Sequence, residues 1–126
     1  MILVVGATGR TGRIAALDLA RHGHKVRALI RNPEKAAPLA TAGVELAVGN
    51  HDDVASLEHA MAGVEKLALI LPNGENQLRW ERQLTELAVR HGVRHLVKLS
   101  SMEALPGATL GVHRMHWQSE EFIRHS

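Results

Sequence analysis

Met1-Ile2-Leu3-Val4-Val5-Gly6-Ala7-Thr8-Gly9-Arg10-Thr11-Gly12 opens the chain and decides how the rest is read. Ile2 to Val5 is a short, β-branched apolar run suited to a buried strand, and the glycines that follow it at once lead into a helix start. A phosphate must approach backbone N–H groups closely at a helix N-terminus, and a Cβ in the loop would hold it away. Gly6 is therefore expected to make the tight turn, Gly9 to admit a pyrophosphate and Gly12 to let helix and strand pack closely. Thr8, Arg10 and Thr11 complete this dinucleotide-binding loop. The same spacing also suits a tight βα turn that merely uses glycine.

Selection between the two nicotinamide dinucleotides is made at the end of the second strand, roughly 20 residues past the loop, where an acid would bind the ribose 2′-hydroxyl. The chain reads Leu29-Ile30-Arg31-Asn32-Pro33 there and has no acid. Arg31 is placed to grip a 2′-phosphate through its planar guanidinium, with Arg10 and Lys35 as helpers. NADP(H) is thus the expected cofactor, and NAD(H) is admissible. A solvated arginine at a strand end is the plainer alternative.

Outward from the loop, further short apolar runs at Val26–Ile30, Val44–Val48, Leu67–Leu71 and Leu96–Leu99 read as buried strands. Amphipathic stretches lie between them, and four end in a glycine suited to a helix C-terminus: Gly23, Gly43, Gly63 and Gly92. Asn32-Pro33 and Asp52-Asp53 mark helix starts. Helices are expected over Gln77–Arg90, with Leu78, Leu84, Leu87 and Ala88 as a packing face, and from about Val112 to Arg124. In the first of these, Trp80 belongs to the packing or to a subunit contact. This alternation predicts one α/β domain over residues 1–126, a Rossmann-like doubly wound parallel sheet of about five strands in the order 3-2-1-4-5. Pro72-Asn73-Gly74 then falls on the carboxyl edge of the sheet, where ligands bind, and is expected to face the nicotinamide half of the cofactor, with Pro72 as a cofactor contact.

Composition narrows the field. The 126 residues are 45% hydrophobic and 22% charged, with a formal charge of +2 spread along the chain, so no footprint for nucleic acid appears. There are no cysteines, which excludes disulfides and thiolate chemistry. Neither a signal-peptide pattern nor an apolar run of membrane-spanning length is present, so the cytoplasm is the expected location and no membrane contact is foreseen. Among the nine histidines only His113 and His116 share a helix face at i, i+3 spacing, and without a third ligand no metal is expected.

Several segments together resemble the NmrA-like group of atypical short-chain dehydrogenases: Val4 to Gly9, Arg31-Asn32-Pro33, Gly49-Asn50-His51-Asp52-Asp53 with Ser56-Leu57, Leu96 to Ser101, and His116-Trp117-Gln118-Ser119-Glu120. The resemblance implies that Asn50 and His51 lie beside the adenine. It also implies an NADP-dependent oxidoreductase passing hydride to a small carbonyl, quinone or similar acceptor, or a non-catalytic NADP(H) sensor. The usual Tyr/Lys pair is absent: the chain has no tyrosine, and aligning His116 with the lysine puts Val112 at the tyrosine position. Ser100 is then expected at the cofactor. Ser100 or Ser101 can orient a carbonyl and His113 or His116 can supply a proton, with Ser101 and His116 taken as the catalytic candidates. Relatives continue into a substrate-binding region, so the chain is expected to be the cofactor half of such an architecture, with self-association through an exposed last helix.

Overall fold

Strand and helix alternate throughout the computed structural model, which describes residues 1–126. The order is β1 (Ile2–Val5), α1 (Arg10–Arg21), β2 (Val26–Ile30), a single 3-10 turn (Pro33–Ala36) running into α2 (Ala37–Thr41), β3 (Glu45–Val48), α3 (Val54–Met61), β4 (Lys66–Leu69), α4 (Gln77–Arg90), β5 (His95–Lys98) and α5 (Gly111–Arg124). The five strands form one sheet in the order β3-β2-β1-β4-β5, and every adjacent pair is parallel. This is the Rossmann-like doubly wound arrangement that the alternation predicts.

Side chains alternate across the sheet and build two cores. Leu3, Val5, Leu67 and Leu69 pack with Leu57, Met61, Leu84 and Leu87, so α3 and α4 cover one face. Val4, Ala28 and Ile30 pack with Ala16, Ala36 and Leu39, so α1 and α2 cover the other. Strands β2 and β3 are added on one side of β1 and β4 and β5 on the other, so the strand order switches between β1 and β4 and opens a crevice at their carboxyl ends.

Local signals act as their chemistry requires. Asn32 Oδ1 accepts the Glu34 amide at 2.9 Å, and Asp53 caps α3 by accepting from the Ser56 amide at 3.3 Å. Gly23, Gly43, Gly63 and Gly92 all follow helix ends with φ between +70° and +82°. Strand limits differ by a residue or two from the apolar runs: β3 begins at Glu45 rather than Val44, β4 runs Lys66–Leu69 rather than Leu67–Leu71, and β5 runs His95–Lys98. Backbone pairing sets these ends, since Ile2 pairs with Lys66 and Lys66 with His95, whatever the side chains.

The last helix is better covered than its sequence suggests. It packs on α4, Ile123 rests against the larger core, and the Arg82 guanidinium lies 5.3 Å from the Phe122 ring centroid. Exposed large apolar side chains lie elsewhere, at Ile14, Val97, Leu99, Met102, Leu105 and Leu110 among others. No helix is long and apolar enough to cross a membrane.

Candidate functional site

A cleft of about 750 Å³ runs along the carboxyl edge of the sheet. One wall is the glycine loop, with Gly6, Thr8, Gly9, Arg10, Thr11 and Gly12 all in the lining. Here the steric demand on glycine is direct. Gly6 has φ +86°, and a Cβ there would stand 1.9 Å from the Ile70 carbonyl oxygen. A Cβ on Gly12 would stand 2.1 Å from the Gly6 oxygen, so α1 sits on the loop at a distance only glycine permits. A Cβ on Gly9 would meet only the Gly6 oxygen, at 3.2 Å, and Gly9 is the N-cap of α1 with no side chain to cover it. The first-turn amides of α1 have no intrahelical acceptor and face an open approach.

At the far end of β2, Arg31 lines the cleft with Leu29 and Ile30, and Arg10 lines it from the loop. Lys35, in the 3-10 turn, does not. Past β3, Gly49 and His51 close the cleft, whereas Asn50 stands outside the lining. The Asn50 side chain turns back to accept the Asp52 amide at 2.7 Å, which shapes the bend that presents His51.

The His51 ring stacks on Trp80 with centroids 4.5 Å apart and 25° between planes. Trp80 also lines the cleft, a role its sequence setting gives no sign of, because it comes from α4, far from His51 along the chain. His51 Nδ1 and Trp80 Nε1 are buried without a hydrogen-bond partner. Burial first, then the Arg31 charge, hold the His51 imidazole below its ordinary pKa, with Asp52 opposing and Arg79 adding to the effect.

The opposite end is lined by Pro72 and Asn73 after β4, by Leu99, Ser100 and Ser101 after β5, and by His116 of α5. Ser100 donates to Glu120 Oε1, and Ser101 Oγ accepts the Glu103 amide at 3.4 Å. His113 does not line the cleft; its Nδ1 lies 3.0 Å from Glu103 Oε2. His116 is 4% exposed. Burial first, and next the Lys98 charge, lower its pKa, with Glu81 and Glu120 opposing and His113 adding to the lowering. Asn73 lines the cleft with the Pro72–Gly74 segment expected there, whereas Trp80 and Lys98 are participants whose place at the site sequence reasoning missed.

These shifts imply acid sensitivity. The folded chain holds a proton on His51 and on His116 more weakly than the unfolded chain does, so their contribution is present above the ordinary imidazole value, about 6.5, and is lost as pH falls. Asp52, lowered first by its hydrogen bond from Arg79, Glu58, lowered first by His91, and Glu65, lowered first by the N-terminal ammonium, act in the same direction at lower pH. The thermal midpoint is expected to fall between about pH 7.5 and about pH 5.5, in the imidazole range. A flat or rising midpoint over that interval contradicts it.

The glycine-lined wall, the Arg31 cation and the unpartnered polar atoms beside a stacked pair suit a ligand with an anionic middle and an aromatic end. Comparison with known proteins follows the same line. The pattern of the NmrA-like family matches residues 1–126. The (4-alkanoyl-5-oxo-2,5-dihydrofuran-3-yl)methyl phosphate reductase of Streptomyces griseus is 41% identical over 127 residues, covering 100% of this chain and 44% of the relative. The NADPH-dependent quinone oxidoreductase of Escherichia coli, solved with NADPH, superposes with a TM-score of 0.86 at 29% identity over 99% of this chain and 45% of that one. The triphenylmethane reductase of Citrobacter sp., solved with NADP(H), gives a TM-score of 0.84 at 29% identity, again over 99% and 45%. The chain therefore spans rather less than half the length of these relatives.

Proposed function

The chain belongs to the NmrA-like family, and on that premise we propose that residues 1–126 form an NADP(H)-binding domain of a reductase that passes hydride to a small carbonyl, quinone or similar acceptor. The observation that carries this reading is the meeting of the glycine loop and Arg31 in one cleft, with no acid at the end of β2. The first-turn amides of α1 hold the pyrophosphate, and Arg31 with Arg10 holds the 2′-phosphate. His51, propped on Trp80, packs beside the adenine. Pro72 and Ser100 border the nicotinamide, whose hydride is the chemistry that the cofactor supplies. Ser101 orients the acceptor and His116 supplies its proton. The relatives solved with NADPH and NADP(H), at 29% identity, support the choice of cofactor.

A hydrogen bond to a charged group contributes about 1.5–3 kcal/mol, which is roughly a tenfold to hundredfold preference for the 2′-phosphorylated form. Calorimetric titration is expected to give tighter binding of NADPH than of NADH. Arg31→Asp is expected to weaken NADPH at least about tenfold while changing NADH little. Equal affinities in both proteins sink the 2′-phosphate assignment, and no binding of either nucleotide sinks the whole reading.

A second reading, an NADP(H) sensor without turnover, is favoured by one observation: the chain contains no tyrosine. Substrate-dependent NADPH oxidation with a panel of quinone, aldehyde and azo acceptors separates the two, since a sensor binds the nucleotide and oxidises none.

A further inference from the structure

Behind the acceptor end of the cleft, where α4, β5 and α5 meet, lies a buried polar network. Glu81 of α4 is 1% exposed and the Lys98 side chain of β5 is 5% exposed. Glu81 Oε1 accepts from Lys98 Nζ at 2.9 Å and from Gln77 Nε2 at 2.9 Å, and the Ser119 hydroxyl donates to Oε2. Lys98 Nζ also reaches the Leu99 carbonyl at 3.2 Å and His116 Nδ1 at 3.0 Å. An ammonium has three protons and no lone pair, so it donates to all three partners. His116 Nδ1 is consequently an acceptor, and the proton of the neutral ring sits on Nε2. That nitrogen lies 2.9 Å from Asn73 Oδ1, an acceptor in the cleft lining.

We propose that Lys98, held by Glu81, locks His116 as the Nε2–H tautomer, and that Lys98 and His116 together relay a proton to the oxygen of a hydride acceptor in the cleft. The lock stands on the geometry alone; the relay rests on the reductase reading. A neutral imidazole that gave up its Nε2 proton unaided would become an imidazolate, which is out of reach near neutral pH. Lys98 removes that obstacle. As hydride from reduced nicotinamide reaches the acceptor, the acceptor's oxygen takes the Nε2 proton at the place Asn73 Oδ1 holds, and Nδ1 takes a proton from Lys98. The ring stays neutral in the other tautomer, and Lys98 is left as an amine beside the Glu81 carboxylate. After the reduced product departs, Nε2 takes a proton from solvent in the cleft and Nδ1 returns its proton to Lys98, which restores the ammonium and the Nε2–H ring.

The relay gives this chain a proton path that does not need the missing tyrosine. It also changes the role of His116, from an imidazolium acid to a conduit backed by a buried cation. The charged and titratable groups around the ring are Lys98 on β5, Glu81 on α4, and Glu120 and His113 on α5. Two carboxylates oppose the Lys98 charge, so the lock depends on the direct Lys98 contact at Nδ1 and not on net local charge.

The test is nitrogen NMR of the whole chain labelled at histidine, without nucleotide, from about pH 5 to about pH 8. His116 is expected as the Nε2–H tautomer over the neutral range. Lys98→Met combined with Glu81→Gln, which avoids stranding a buried charge, is expected to release it into a mixture of tautomers titrating nearer the ordinary imidazole value. An Nδ1–H ring in the natural protein, or an unchanged tautomer in the double variant, overturns the lock. Lys98→Arg distinguishes lock from relay, because arginine donates hydrogen bonds but does not release protons. In NADPH-dependent reduction of a simple quinone it is expected to keep the tautomer while lowering kcat by about a hundredfold with KM little changed. Full kcat in Lys98→Arg overturns the relay. If the natural chain binds NADPH but reduces no acceptor, the reductase reading fails and the relay with it, and the NMR result still decides the lock.

Discussion

Glu81→Leu is expected to destabilise the chain by about 3–5 kcal/mol, read as a lower urea midpoint with an unchanged slope. Glu81 is 1% exposed and accepts from Lys98, Gln77 and Ser119. Leucine fills most of the volume and satisfies none of these donors. The Lys98 ammonium is then left buried without its counter-ion, and breaking one side of a buried pair costs far more than replacing the pair. The double variant Glu81→Leu with Lys98→Met is therefore expected to recover most of the loss. If the double variant is no more stable than Glu81→Leu alone, the damage comes from packing, and the stranded charge is not its cause.

Gly6→Ala is expected to cost about 3–5 kcal/mol and to abolish nucleotide binding, because two penalties combine at that position. The backbone lies at φ +86°, where an L side chain loses about 1–2 kcal/mol, and the added Cβ would stand 1.9 Å from the Ile70 carbonyl oxygen, an overpacking that forces the β1 and β4 ends apart. Gly23→Ala is the control. Its φ is +81°, but nothing lies within 4 Å of an added Cβ, so only the conformational cost of about 1–2 kcal/mol is expected. Equal losses in the two variants, measured by denaturant unfolding, contradict the close approach of the loop to β4.

The glycines illustrate why so much of this fold was legible. Gly9 and Gly12 obey steric requirements set within a few residues of themselves, Gly6 adds to its locally required positive φ a close approach to Ile70, and Gly23, Gly43, Gly63 and Gly92 answer the geometry of the helix ends they follow. Strand order could also be read, since short apolar runs alternating with amphipathic stretches leave few ways to cover both faces of a parallel sheet. Arg31 was legible because its place follows from the loop by counting along one βαβ unit. The exact ends of β3, β4 and β5 were not, because they are set by pairing with neighbours and not by hydrophobicity.

Asn50 and Trp80 show the limit from the other side. Both lie near His51 in space, yet the side chain of Asn50 is spent on the turn, and the cleft receives Trp80 from α4 instead. One signal was present without being decisive. Gln77, Glu81 and Thr85 are polar at successive i, i+4 positions of α4, and all three are buried beside the apolar face that Leu84, Leu87 and Ala88 form. A polar stripe at such positions demands partners inside the protein. Their identity depends on which strand and helix arrive opposite.

The sequence by itself determined the parallel doubly wound sheet, the glycine loop at its switch point and the cation at the end of β2, all products of local spacing and steric need. The tertiary structure alone decided that His51 rests on Trp80 and that Lys98 meets both Glu81 and His116. Those contacts join residues 17 and 18 positions apart in the Lys98 pairs, on elements whose approach is set by the packing of the sheet and its helices, and burial then makes each unpaired polar group costly enough to fix its partner.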